Sequence, residues 1–448
     1  MSPPEAVQAG DIFPDTTRVD GDHLSIGGCD LTELALRYGT PLYVYDEASL
    51  INRARGYRGA LKSSYAGDSI ICYASKAYAA PWILSLLADE GLGLDVVSAG
   101  ELWTGVVADF PRDRIYFHGN NKGEDELELA LAERVGRIVI DNLDETARLG
   151  RLSTERGIRQ SVLLRVSPNV DAHTHAHLTT GNLDTKFGLG IESGAAEEGV
   201  REVLKWPSLD LRGYHAHIGS QIHEIGPYRD TVDRLFAFAR QMREKHGVAL
   251  REISPGGGYG VRYTTADPAV KTRDVIGELG RLVTEAARKH GFSELPELTI
   301  EPGRSLVASA AVSIYRVGSI KRIPEGRTYV AVDGGMADNI RPTAYAAKYS
   351  AVLANRVNDG GATDVAIAGK YCETGDILIQ HVDLPLPRVG DLVAIPTAGA
   401  YHLSMASNYN MALRPAVVVV KDGNSRLVRR RQTFEDLLAA DVAAAVKT

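Results

Sequence analysis

At 448 residues, 44% hydrophobic and 24% charged, the chain is long enough for two domains with full cores. A net charge of -7, with no basic cluster beyond Arg429, Arg430 and Arg431, argues against nucleic acid or an anionic membrane surface as partner. Three scattered cysteines, Cys29, Cys72 and Cys372, exclude a disulfide framework and a cysteine zinc cluster, and no stretch is long and apolar enough to span a membrane.

The opening MSPPEAVQAGDIFPDT has no basic n-region and no apolar h-region, so a reduced, cytoplasmic protein is expected. The first strand-like runs are HLSIGGCD and TPLYVYD (40–46). Eight β-rich runs then alternate with helical patterns: SIICYA (69–74), GLDVV (93–97), RIYFH (114–118), RIVID (137–141), VLLRV (162–166), LRGYHAH (211–217), REIS (251–254) and ELTIE (297–301). Stretches such as PWILSLLADEG, EDELELALAERVG and YRDTVDRLFAFARQMREKHG repeat apolar residues at three- and four-residue spacing, and Gly91 and Gly247 stand where helix-ending glycines belong.

Eight such repeats predict an α/β protein with a (β/α)8, TIM-like barrel. A doubly wound sheet competes, but it gathers its polar residues at one switch point. Here polar or glycine-rich segments follow nearly every strand, as they do when strand ends converge on one site. From about residue 303 the texture turns β-rich, in RTYVAVDGG, GDLVAIP and AVVVVKDGNSRLVRRR, the last with an Asp-Gly hairpin signal. The expected division is a barrel over 45–302 and a mostly β domain built from 1–44 and 303–448. The tail should end in a helix capped by Thr433 and Asp436.

The residues after the strands carry chemistry. Lys76 follows the first, Asp95 and Ser98 the second, and HGNNK (118–122) the third. Arg165 ends the fifth strand, HIGSQ (217–221) the sixth, PGGGYG (255–260) follows the seventh and EPGR (301–304) the eighth. Gly256, Gly257 and Gly258 suit a phosphate cradle of bare N–H groups, or simply a tight loop. Alternation puts His215 and His217 on one strand face at a metal-ligand spacing, with His173, His175 and His177 nearby. A metal would leave Lys76 and the glycines unexplained, so none is expected. Pyridoxal 5'-phosphate accounts for the set, because it needs a lysine, a phosphate cradle and a partner for its pyridine nitrogen. Lys76, costly to desolvate, would be buried because the cofactor occupies it covalently.

The ordered motifs YASKA, GLDVVSAGEL, HGNNK, TGNLDTKFGL, HIGSQI, GGGYG, EPGR, DGGMADNIRPTAY, CETGD and GAYHLSMASNYN cover most of the chain. Together they resemble the alanine-racemase-type barrel decarboxylases that use pyridoxal phosphate, and most closely the branch acting on meso-diaminopimelate. The resemblance implies that Lys76 is the Schiff-base lysine and that His217 stacks on the pyridine ring. It makes Glu301 the partner of the ring nitrogen. Asp95, Ser220, Gly256, Gly257, Gly258, Pro302 and Gly303 become further cofactor contacts. Arg304, Arg341 and Tyr345 are similar to the groups that hold substrate carboxylate, Glu373 to the ammonium partner, and Tyr401 to a tyrosine touching cofactor and substrate. Cys372 resembles the proton donor, contributed by the second subunit of a homodimer.

Cys-Asp in ornithine-type relatives stands where this chain has Cys372-Glu373. Arg341 is a natural bidentate carboxylate reader. A substrate with an amino-acid group at each end, meso-diaminopimelate, is therefore expected, giving L-lysine. Another diamino acid, such as ornithine, arginine, lysine or carboxynorspermidine, is the alternative. The chain departs from the family pattern at Lys370-Tyr371, in THAHLTTG, and at His402, where a small residue is common.

Overall fold

The computed structural model describes residues 7, 11–170, 186–269 and 271–441. The chain divides into two compact units. One contains Ile51–Val261 and Val270–Leu306; the other contains Met1–Leu50, Arg262–Ala269 and Val307–Thr448. The segment 262–269, inside the stretch assigned to the barrel from sequence, thus groups with the β-rich unit.

The first unit is a closed barrel of eight parallel strands: β1 (Ser69–Ala74), β2 (Gly93–Val96), β3 (Ile115–Phe117), β4 (Arg137–Ile140), β5 (Gln160–Ser167), β6 (Leu209–His215), β7 (Glu252–Gly257) and β8 (Glu297–Glu301). It closes where β8 pairs with β1, Leu298 opposite Ser69 and Ile300 opposite Ile71. The strands are near-continuous apolar runs because a barrel strand is covered on both faces. Crossover helices such as Pro81–Asp89, Glu124–Ala132 and Gly226–His246 bury one apolar stripe each, and Gly247 ends the last with φ +68°.

β7 differs from its sequence reading. It runs on through Pro255, Gly256 and Gly257 instead of stopping at Ser254. A Cβ on Gly257 would lie 1.9 Å from the carbonyl oxygen of Glu301, so glycine is what lets β7 approach β8 there.

The second unit holds a sheet in the order Ile377–Leu384, Thr363–Ala368, Thr328–Val332, Ala311–Arg322, Leu42–Asp46, Ala416–Lys421 and Asn424–Arg429. Leu42–Asp46 sits between strands from far along the chain, antiparallel to Ala311–Arg322 and parallel to Ala416–Lys421. Leu24, Ile26, Leu42, Val44, Val312, Ile314, Val418 and Val420 close its core. Asp422 and Gly423 make the expected two-residue turn, both at positive φ. Thr433 and Asp436 form the expected capping box on Phe434–Leu438.

Candidate active site

Four barrel strands deliver charge to their C-terminal ends. β8 ends on Glu301, β6 on His215, β2 carries Asp95, and His118 follows β3; all four are buried. Glu301 accepts from Ser254 Oγ at 2.8 Å and pairs with His215 Nε2 at 2.9 Å. His118 Nε2 stands 3.6 Å from Asp95 and 3.7 Å from Glu301, and its ring meets that of His215 edge-on, centroids 4.9 Å apart.

The two carboxyls are driven apart. Burial alone would raise Glu301, but His215 and His118 overcome it and hold the carboxyl well below the usual range. Burial pushes His118 towards its neutral form. Burial and then Glu301 push Asp95 well above its ordinary value, with Lys76 pulling the other way. The barrel top therefore keeps one carboxylate ionised beside one that favours its proton, a pattern typical of functional sites.

Lys76 lies in a helical turn directly after β1 (Ser75–Ala77). The expectation of a buried lysine is not met: Ser75 and Ala77 are buried, but the Lys76 side chain is exposed. The turn is tied to the end of β8, since Ala74 N donates to Pro302 O at 3.2 Å. A Cβ on Gly303 would come within 3.0 Å of Ala74 Cβ.

His217 is half-buried, and its Nδ1 accepts from the amide of Gly257 at 3.2 Å. Burial, then Lys76 and Arg165, hold it well below its ordinary value, so the ring is neutral. The Gly256 amide donates to Ser254 Oγ. Two of the three glycine amides are thus committed within the protein, which corrects the reading of a triple N–H cradle. Gly258 lies past the strand end, partly exposed, at φ +92°. Arg304 is buried and donates to Ser220 Oγ at 3.0 Å. Arg165 lies 3.6 Å from Asp141 with its guanidinium 4.4 Å from the Phe187 ring centroid.

The paired-histidine reading also changes. His215 turns to Glu301 while His217 engages Gly257, so the two do not point to a shared ligand. Among the described residues, the group whose ligand atoms converge, within 4.8 Å of one another, is His118, His215 and Glu301. His173, His175, His177 and the TGNLDT part of one motif lie outside the described residues.

In the β-rich unit, Arg341 opens a short helix, Arg341–Tyr345, and is buried. Its Nη1 donates to Tyr349 Oη at 2.6 Å and Tyr263 Oη at 2.8 Å. Tyr345 is half-buried at the helix end, and Tyr401 is half-buried at φ +62°. Cys372 and Glu373 are exposed on a turn organised by Asp376, whose carboxylate accepts from Met336 N and Tyr371 N at 2.7 and 2.8 Å. Tyr409 donates to Glu373 at 3.3 Å, and Asn410 receives the Cys372 amide.

Residues 47–308 match the family model described as pyridoxal-dependent decarboxylase, pyridoxal binding domain. Over 420 residues, 94% of this chain and 95% of the relative, the sequence is 46% identical to diaminopimelate decarboxylase of Bacillus subtilis. The chain belongs to the diaminopimelate decarboxylase family. Among solved structures, a diaminopimelate decarboxylase from M. jannaschii in complex with L-lysine superposes with a TM-score of 0.90. It is 33% identical, with 96% of this chain and 98% of that one covered. The Helicobacter pylori diaminopimelate decarboxylase with L-lysine gives 0.84 at 30% identity, covering 91% and 98%.

Within the diaminopimelate decarboxylase family, the sequence reading had named Glu301 and placed His118 only within the HGNNK stretch, without assigning it or Ser254 a role beside Glu301. The signal for His118 was present, since it stands just past the end of β3, whereas Ser254 lies inside β7. Tyr263, Tyr349 and His402 around Arg341 carried no such signal, because they come from irregular segments.

Proposed function

We propose that this chain removes carbon dioxide from meso-diaminopimelate to form L-lysine, the last step of lysine synthesis, using pyridoxal 5'-phosphate. The observation that carries the reading is the pairing, at one end of one barrel, of a solvent-open primary amine on Lys76 with a buried carboxylate kept ionised on Glu301. The residues fit the cofactor. Lys76 would hold its aldehyde carbon, Glu301 a proton on its ring nitrogen, neutral His217 the face of its ring, and Ser220 with Gly258 its phosphate. When bound, it supplies an electron sink for the pair left on Cα as the carboxylate departs.

The chain's own groups do the remaining work. Arg341 and Arg304 bind carboxylate, and Glu373 takes a substrate ammonium. Tyr345 and Tyr401 orient the substrate. The Cys372 thiol delivers a proton to Cα as a general acid. Cys372 and Glu373 are exposed on a single chain. That supports a homodimer in which each subunit lends this turn to the other's site. Among the described residues no helix is long and apolar enough to cross a membrane, and all three cysteines are unbridged. A cytoplasmic location completes the proposal.

The test is purified protein with pyridoxal phosphate and meso-diaminopimelate, ornithine or arginine in parallel. Equal yields of carbon dioxide and lysine from the first are expected. Gas from ornithine alone would move the chain to another substrate. Mixing inactive Lys76→Ala and Cys372→Ala proteins should restore activity through hybrid dimers; no recovery would argue against sharing of the turn.

A further inference from the structure

His402 follows Tyr401 in the sequence and is fully buried. Both of its ring nitrogens are engaged. Nε2 lies 2.8 Å from Tyr349 Oη and Nδ1 3.3 Å from Tyr43 Oη. The ring stands edge-on to both tyrosines, at 5.2 and 5.9 Å between centroids.

The donors give this chain of bonds a direction. Arginine only donates, so Tyr349 Oη accepts from Arg341 Nη1 and its own proton turns to His402 Nε2. The imidazole then carries its hydrogen on Nδ1 and donates to Tyr43 Oη. Tyr43 in turn donates to the backbone oxygen of Asp338 at 3.2 Å. Every link is satisfied once the histidine is neutral with that tautomer. Arg341 Nη1 spends both protons on Tyr349 and Tyr263, and its guanidinium also lies over the Tyr263 ring, 4.8 Å from the centroid. A carboxylate must therefore be read by Nη2 and Nε, along an edge whose direction the two hydroxyls set.

We propose that His402 is a positioning residue for substrate recognition: through Tyr349 it fixes the guanidinium plane of Arg341, and so the grip on the carboxylate that the reaction leaves in place. This deepens the reading above and rests on Arg341 being a carboxylate reader. A shift of a few tenths of an ångström in such a support spoils a bidentate pair while leaving the reacting groups untouched.

The chemistry offers a clean separation. L-lysine keeps the carboxylate in question, whereas 1,5-diaminopentane has lost it. His402→Leu and Tyr349→Phe should each raise KM for meso-diaminopimelate and Ki for L-lysine by roughly tenfold. kcat should change less than about threefold, and Ki for 1,5-diaminopentane should not move. His402→Gln, able to accept and donate at similar reach, should recover most of the loss. Tyr349→Phe adds no volume and carries the test should His402→Leu melt early.

Arg341→Ala is the control. If it leaves KM and the L-lysine Ki unchanged, the carboxylate-reader assignment fails. If it raises both while His402→Leu and Tyr349→Phe do not, the positioning role is overturned. Parallel rises for L-lysine and 1,5-diaminopentane would likewise overturn it, as general loosening.

Discussion

The two ends of the barrel bury charge in different ways. At the N-terminal end Arg137, the first residue of β4, meets Glu252, the first of β7, at 2.6 Å, and Glu297, the first of β8, at 3.4 Å. Thr299 donates to the remaining Glu252 oxygen at 3.0 Å. Every charge there has an opposite partner. At the C-terminal end His118 stands between Asp95 and Glu301, His215 pairs with Glu301, and buried Arg165 acts on both carboxyls without an ion-pair contact to either, while their proton affinities are pushed in opposite directions. The same strands thus end in a closed ion pair below and an unbalanced cluster above. The first arrangement supports the fold; the second leaves charge to be completed by a ligand.

Glu301→Gln should cost the largest factor, roughly 10²–10³ in kcat, since a neutral amide cannot hold a proton on the cofactor ring. Its melting temperature should stay close to that of the parent. A large loss of stability with kcat preserved would erase the distinction between the ends. Glu252→Ala should do the reverse. It strands Arg137 beside a more distant partner and should lose about 3 kcal/mol by denaturant titration, with kcat per folded molecule unchanged.

The smallest effect belongs to Asp95→Asn. A buried carboxyl whose folded pKa is raised stabilises fully only below its unfolded value near 4, and that contribution fades as pH climbs through the folded value. The cofactor-free variant should therefore gain on the parent as pH rises. It should melt about 2–4 °C higher at pH 8 if the gain is ~1 kcal/mol, with little difference at pH 4. A gain that shrinks with rising pH would mean Asp95 is ionised at rest.

All eight barrel strands were legible, because each is a short β-rich run ended by chemistry-bearing residues and followed by a helical period. The end of β7 was not, because Pro-Gly-Gly reads locally as a turn; only the approach of the Glu301 carbonyl explains a strand there. Glu301 and Lys76 were singled out from their places at the end of a strand and just after one. The exposure of Lys76 was missed because a strand's burial need not extend to the helical turn after it. His402 showed only as a departure from a pattern, since its partners Tyr43 and Tyr349 are brought to it by tertiary folding alone.

The strand Leu42–Asp46 has a consequence for birth order. It is made before the barrel, yet one flank, Ala416–Lys421, is made only after it. The barrel, a contiguous stretch apart from 262–269, has by then been complete for roughly ten seconds at ordinary elongation rates. A transcript broken after the barrel codons would yield a nascent chain with an unguarded β edge, ready to pair with its neighbours on the polysome.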